Sequence, residues 1–321
     1  MAPGSAVPPP VTAVLDASQR WLPARLGEVE ERLRESIVGW GRPLGEDAGA
    51  TLGAGGKRLR PMLVLLCAGE AGGEAAVRAA TAIELVHMAT LVHDDVLDEA
   101  PLRRGLPTVA ATSGRDRALA TGDLLLSRAF ALLSEAGDTR AVLLLADAAV
   151  ALARGELAQR QDAFDLTITE ERYLQRCRLK TAALFECAVS LGHDDPELRR
   201  FGTEVGLAFQ LLDDVLDVTG PPERTGKARG TDLLDGTVNL PLIVAAERDP
   251  SLREIDLRGL DATSAEEVCE RIAATGALGT VRARALDLVA TGKRTLGATG
   301  FAAEQRRLLE LVADGVVQRY S

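Results

Sequence analysis

The chain has 321 residues, of which 46% are apolar and 26% charged, and carries a formal net charge of −10 from 37 Lys+Arg against 47 Asp+Glu. That length buries a large core within one domain, and the composition excludes disordered, collagenous and disulfide-stapled chains. The acidic balance argues against nucleic acid as a partner, because a polyanion is repelled at long range, so an anionic ligand must be gripped by local cations.

Apolar residues recur at three- and four-residue spacing, while two-residue alternation and β-branched clusters are nearly absent, which predicts an all-α fold of about ten or more helices. Residues 1–12 begin with Pro3, Pro8, Pro9 and Pro10 and have neither a basic start nor an apolar stretch. They read as a flexible tail rather than a signal peptide, leaving 13–321 as the domain. Helices are expected over about 12–39, then from Pro61 at a first helical position to Gly72 and Gly73, then over 76–99, 116–136 and 139–163. Thr167 with Glu170 has capping-box spacing before a helix at 170–191, and Thr263 with Glu266 before one at 264–276. Asp195 and Pro196 start a helix that Gly220, Pro221 and Pro222 stop, and further helices follow at 238–247, 278–297 and 302–319. The stretch 220–237 reads as a functional loop. The longest apolar runs, Met62 to Ala68 and Ala141 to Ala153, are too short to span a bilayer, so no transmembrane segment is expected. Cys67, Cys177, Cys187 and Cys269 show no C-x-x-C pair, which suits a reduced, cytoplasmic compartment better than a disulfide framework.

The pentapeptide DDVLD occurs twice, as Asp94, Asp95, Asp98 and as Asp213, Asp214, Asp217. With 23 aspartates in the chain, a D-D-x-x-D pattern is expected by chance roughly 0.1 times. On a helix, positions i and i+4 share a face, so each copy offers a carboxylate pair, Asp94 with Asp98 and Asp213 with Asp217. Mg²⁺ takes oxygen ligands at about 2.1 Å and combines one or two carboxylates with substrate phosphate oxygens, so two such faces opposite each other would hold a diphosphate through metal ions. The bland alternative, a pair of solvated acidic faces, fits poorly with the apolar residues around both copies, and no EF-hand spacing supports calcium buffering.

GGKRLRP, Gly55 to Pro61, places Lys57, Arg58 and Arg60 on a turn leading into a helix, where glycines and backbone donors suit an anion. Arg103 and Arg104 follow the first aspartate helix closely enough to clamp the same phosphates. His87, seven residues before Asp94, shares its helix face and can donate to a phosphate, although a lone histidine is more often structural. Only four lysines, Lys57, Lys180, Lys227 and Lys293, accompany the arginines, so a retained lysine marks a place where a compact ammonium matters. Lys293 has no motif around it and reads as surface, and His193 as a loop residue.

Taken with TGDLL at 121–125, GELAQ at 155–159, KTAALF at 180–185, FQLLDDVLD at 209–217 and GKARGTD at 226–232, these blocks resemble the trans-type isoprenyl diphosphate synthases of the polyprenyl synthetase family over residues 50–245. The resemblance implies a single large helical bundle around a central apolar cavity, of the isoprenoid synthase type, and a homodimer. It implies that Lys57, Arg60, His87 and Arg104 bind isopentenyl diphosphate. Asp94, Asp98 and Asp213 would hold three Mg²⁺ ions on the allylic diphosphate, with Asp217 behind them. Arg103, Lys180 and Lys227 would neutralise its oxygens, and Thr181 and Gln210 would lie beside the developing allylic cation.

Two departures from the family pattern stand out. Thr237 in GTVNLP occupies a place where a lysine is common, and GRDRAL at 114–119 replaces an Asn and more apolar residues. Upstream of Asp94, Ala89, Thr90 and Val86 leave open a path that short-chain members block with an aromatic, so products of C20 or longer are expected. The alternatives are a short-chain farnesyl or geranylgeranyl diphosphate synthase, a class I terpene cyclase, disfavoured by an aromatic content of 3%, and a non-catalytic subunit, disfavoured by intact aspartate pairs.

Overall fold

The computed structural model describes residues 9–18, 21–103, 105–220 and 229–318. Arg104 and Lys227, two of the expected diphosphate ligands, lie outside the described residues, as do residues 1–8. The described chain is almost entirely helical, with a single two-stranded hairpin, Leu102–Arg103 against Leu106–Pro107, turning through Gly105 at φ 76°.

The expected helix over 12–39 is two helices, α1 (Pro9–Ala17) and α2 (Trp21–Ile37), and α1 starts inside the segment read as a tail. It packs against the C-terminal helix and so already belongs to the fold. A third helix, α3 (Arg42–Gly53), is unexpected, because Gly45, Gly49 and Gly53 dilute its apolar pattern. The GGKRLRP turn leads into α4 (Leu59–Ala68), which begins two residues before Pro61, with Arg58 in the left-handed region at φ 49°. Arg58 is held there by Glu30 and by Glu84, whose carboxylate accepts from Nη1 at 2.8 Å.

At the centre stands α5 (Gly73–Leu97), ended by Asp98 as C-cap. Its burial covers most of its circumference, as expected of a helix enclosed by others. By length and composition the segment Glu70–Leu97 passes for a membrane span, contrary to the sequence reading. Yet 72% of its most apolar window is buried inside the fold, so it serves as a core helix.

Around it follow α6 (Val109–Ser113), α7 (Arg115–Glu135), α8 (Thr139–Gln161), α9 (Glu170–Cys177), α10 (Ala183–Gly192) and α11 (Pro196–Thr219). The expected helix over 170–191 is interrupted by a π-turn at Arg178–Ala182. The caps also shift. Thr169, not Thr167, accepts from the Arg172 N–H, and the capping box of the later helix uses Asp261 and Ser264 instead of Thr263 and Glu266. Asp195 does cap α11, accepting from Glu197 and Leu198 N–H, with Pro196 in the first turn. The chain closes with α12 (Thr231–Leu234), α13 (Leu240–Arg248), α14 (Ala262–Ala274), α15 (Ala277–Leu296) and α16 (Ala303–Gln318). Lys293 pairs with Asp314 and so ties α15 to α16, and His193 caps α10 with its ring 5.1 Å from that of Phe301.

Two close approaches fix the position of the π-turn. A Cβ at Gly155 of α8 would lie 2.6 Å from the Lys180 backbone nitrogen, and one at Gly206 of α11 would lie 2.7 Å from the Ala182 Cα. Only glycine allows α8 and α11 to clasp the turn from both sides. The turn is thereby set between the two helices, facing the end of α5.

Candidate active site

The last turn of α5 and the last two turns of α11 each carry one aspartate motif, and the two meet across a polar cavity of about 200 Å³. Asp94, Asp98 and Arg103 line one side, Gln210 and Asp213 the other, with Lys180 and Thr181 of the π-turn between them. Beneath lies a second, larger cavity of about 450 Å³ with a mainly apolar wall. Val86, Ala89 and Thr90 line it from α5, Leu126 from α7, and Leu152 and Leu157 from α8. Asp94 and Lys180 line both cavities, so the acidic chamber sits on the mouth of the apolar one.

The charges in this chamber crowd one another. Burial pushes the Asp94 carboxyl up to about 6; Lys180 and Arg103 oppose this, while Glu156 and Asp98 add to it. Burial also works against the Lys180 ammonium, but Asp94, Glu156 and Asp98 outweigh it and hold Lys180 above the ordinary lysine value. Lys180 is paired directly with Glu156 of the GELAQ segment. Arg160, one turn on, bridges Glu156 Oε1 at 3.0 Å and Asp98 Oδ1 at 2.5 Å. Arg103 leans on the neighbouring Asp95, Nε to Oδ1 at 2.7 Å.

Asp217 differs from Asp94, Asp98 and Asp213. It does not line the chamber, and its Oδ2 accepts from the Asp232 backbone N–H at 3.2 Å while its carbonyl accepts from Gly230. Its carboxylate therefore fixes the start of α12, which presents Asp232 and Asp235 to the chamber wall. Thr237 reaches the same wall, so a hydroxyl stands where the resemblance leads one to expect an ammonium. The other departure, GRDRAL, starts α7, where Arg117 pairs with Asp47 at 2.7 Å and lines neither cavity.

Lys57, Arg60 and His87 line neither cavity. Arg60 is sunk beside the core with its guanidinium carbon 4.8 Å from the Phe185 ring centroid, and Phe185 packs at 5.5 Å on Phe209, the neighbour of Gln210. Burial lowers Arg60 to about 10, against the pull of Glu84, and its buried Nε has no hydrogen-bond partner among the described residues. A buried guanidinium with an unsatisfied donor suits an anion arriving from outside.

Sequence reasoning missed Glu156, Arg160, Tyr173 and Asp214 as site residues. Tyr173, one of two tyrosines in the chain, lies seven residues before Lys180 and donates from its hydroxyl to Asp214 Oδ2 at 2.6 Å. That seven-residue spacing was the available signal. Burial foremost, then Asp232, pushes the Asp214 carboxyl up, against the hydrogen bonds from Tyr173 and Gln210.

The donor set suits a hard divalent cation that arrives with its substrate. Asp94, Asp98 and Asp213 offer only carboxylate oxygens, and among the described residues no group of three or more His, Cys, Asp or Glu side chains is arranged to hold an ion unaided. Ions there need further oxygens, which a diphosphate supplies.

The polyprenyl synthetase family model matches residues 43–275. The chain is 43% identical over 241 residues to heptaprenyl diphosphate synthase component 2 of Geobacillus stearothermophilus, covering 72% of this chain and 75% of that protein. It is 38% identical over 246 residues to the octaprenyl diphosphate synthase of Escherichia coli K12, covering 72% and 76% respectively. Among solved structures, a polyprenyl synthase from Caulobacter crescentus CB15, complexed with calcium and isoprenyl diphosphate, superposes with a TM-score of 0.88 at 32% identity, over 96% of this chain and 98% of that one. With the acidic chamber, the apolar cavity beneath it and these matches together, the chain belongs to the polyprenyl synthetase family of trans-prenyltransferases.

Proposed function

We propose that the chain condenses isopentenyl diphosphate with an allylic diphosphate by head-to-tail elongation, with Mg²⁺ as the divalent cation, three ions per site, and products of C20 or longer. The observation that carries this reading is the continuity of the two cavities through Asp94 and Lys180. A diphosphate in the acidic chamber would leave its hydrocarbon tail in the apolar one.

Asp94, Asp98 and Asp213 hold the ions, and Asp217 braces the loop behind them. When bound, the ions neutralise the charge that builds on the leaving diphosphate as its C–O bond breaks. Lys180, kept charged by the carboxylates around it, acts on the same oxygens with Arg103 and Lys227. Lys57, Arg60, His87 and Arg104 orient the isopentenyl diphosphate, whose double bond attacks the allylic cation, and the new cation then loses a proton to the released diphosphate; the buried Nε of Arg60, without a hydrogen-bond partner among the described residues, supports this role. Thr181 and Gln210 line the chamber next to Lys180, where oxygen atoms can face the cation. The apolar walls below exclude water, which would otherwise trap that cation.

Val86, Ala89 and Thr90 form one face of α5 running away from Asp94, and none is bulky, so a growing chain can pass them. We place the chain as one domain in a reducing, cytoplasmic setting, a reading supported by four free, buried cysteines. We also propose a homodimer. Leu143, Val150 and Leu157 are 58–60% exposed at seven-residue spacing along α8, a stripe suited to another copy. The word "component" in the name of the heptaprenyl relative makes a two-polypeptide enzyme the second reading.

Incubating the purified protein alone with isopentenyl diphosphate, Mg²⁺ and allylic primers of several lengths tests both. Chromatography is expected to show C20 or longer prenyl diphosphates. Products of C15 or shorter overturn the length assignment, and turnover only on adding a second polypeptide overturns the homodimer.

A further inference from the structure

Four polar side chains from three elements form one continuous line along the chamber wall. The Tyr173 hydroxyl of α9 donates to Asp214 Oδ2 at 2.6 Å, and Gln210 Nε2 donates to Asp214 Oδ1 at 2.7 Å. The Thr181 hydroxyl of the π-turn donates to Gln210 Oε1 at 2.6 Å. Tyr173 is 1% exposed and Asp214 3%, so water cannot take over these bonds. The half-buried Gln210 amide, held at both ends, has little freedom to turn. Because Thr181 directs its one hydrogen at Gln210, its remaining lone pairs are available to the chamber that both residues line.

We propose that Tyr173 is a positioning residue. Through Asp214 it fixes the Gln210 carboxamide, which in turn holds the Thr181 hydroxyl with its oxygen toward the allylic carbon where positive charge builds. The inference rests on the prenyl-transfer reading above and assigns Asp214 to the polar wall rather than to the metal ligands. A neutral, correctly aimed oxygen stabilises a nearby cation without competing for its bond, and pre-orientation means that no reorganisation is needed when the charge appears. A tyrosine suits the remote end of the line because its ring also packs beneath the Arg176 guanidinium, 5.5 Å from the centroid, so the hydroxyl is held from both sides.

Tyr173→Phe removes the hydroxyl and keeps the ring packing. It is expected to lower kcat by roughly 10- to 100-fold, the scale of outer-shell positioning effects, with KM for both diphosphates within about twofold. Thr181→Val tests the route. If Tyr173 acts through Thr181, Tyr173→Phe costs little further kcat in the Thr181→Val background; if its role is only structural, the two losses multiply and the proposal fails. A second readout needs no turnover. The Gln210 side-chain amide signal in ¹H–¹⁵N spectra, assigned by its loss in Gln210→Glu, is expected to exchange slowly with solvent and to shift in Tyr173→Phe. A fast-exchanging signal indifferent to Tyr173→Phe overturns the network, whereas an unmodified protein that forms no prenyl product overturns the prenyl-transfer reading instead.

Discussion

Ala89→Phe puts the reading of the apolar cavity at greatest risk. Ala89 is five residues before Asp94 on α5, about 7.5 Å along the helix axis at 1.5 Å per residue, and Val86 is eight residues before it, about 12 Å. Both side chains line the cavity below the acidic chamber. A phenyl ring at 89 would therefore close the path nearer the reacting end than one at 86. Forcing a ring into a packed core costs about 1–3 kcal/mol, but here it enters a space of about 450 Å³. Each methylene-sized group removed from water there contributes about 0.8 kcal/mol, so both variants are expected to fold with melting temperatures near that of the parent. Chromatography of products made from isopentenyl diphosphate and a short primer should then rank chain lengths parent, Val86→Phe, Ala89→Phe, from longest to shortest. An unchanged distribution in a folded Ala89→Phe protein would mean that the tail takes another route, and the cavity would lose its assigned role.

The remaining expectations concern the charged chamber. Asp94→Asn should abolish most activity, roughly 10²- to 10³-fold, yet raise the melting temperature of chelator-treated protein at pH 8. The sign follows from its carboxyl being raised to about 6: a raised group contributes stability below its unfolded value of 3.8 that is lost as pH rises through 6. A melting temperature unchanged or lower at pH 8 refutes that crowding. Asp213→Asn should cost far more activity than Asp217→Asn, because Asp217 caps the Asp232 backbone instead of facing the chamber; equal losses in steady-state rates contradict the distinction. Glu156→Gln removes the charge facing Lys180 and Arg160 and should lower stability by about 2 kcal/mol, measurable by urea unfolding, while Asp98 keeps its bond to Arg160.

What the sequence disclosed depended on whether a feature has a side-chain period. The Asp94–Asp98 pair and the Asp195–Pro196 helix start follow from helical spacing, and the structure places them accordingly, whereas Asp217 of the second pair turns to the Asp232 backbone; the small residues at 86, 89 and 90, expected from the resemblance, line the apolar cavity. The π-turn at Arg178–Ala182 left no such trace, because one extra residue per turn barely alters a pattern already rich in apolar positions. What the turn requires, glycines at 155 and 206 in helices remote in sequence, becomes intelligible only once those helices are seen to touch it. The division of labour inside DDVLD was hidden for a related reason. Asp213 and Asp214 are neighbours in sequence, but successive helical positions diverge by about 100°, enough to give Asp214 to Tyr173. Pattern matching sees one motif where the helix turns its second aspartate toward Tyr173.

The resting chamber is also held in a state that favours its substrate. Asp94 shares a buried space with Asp98 and Glu156, whose charges add to the rise of its carboxyl, and Lys180 and Arg103 offset that rise only in part. That crowding has an energetic cost in the unliganded protein. Cations would offset the carboxylates, and phosphate oxygens would meet Lys180 and Arg103 on the same wall. Because neither component alone satisfies both kinds of group, metal and diphosphate should bind cooperatively: each should tighten the other's apparent affinity in a calorimetric titration. An apolar cavity opening directly below such a chamber then makes chemical sense, since charge compensation is complete only when the diphosphate is seated, and a seated diphosphate keeps bulk water from the carbon about to become a cation.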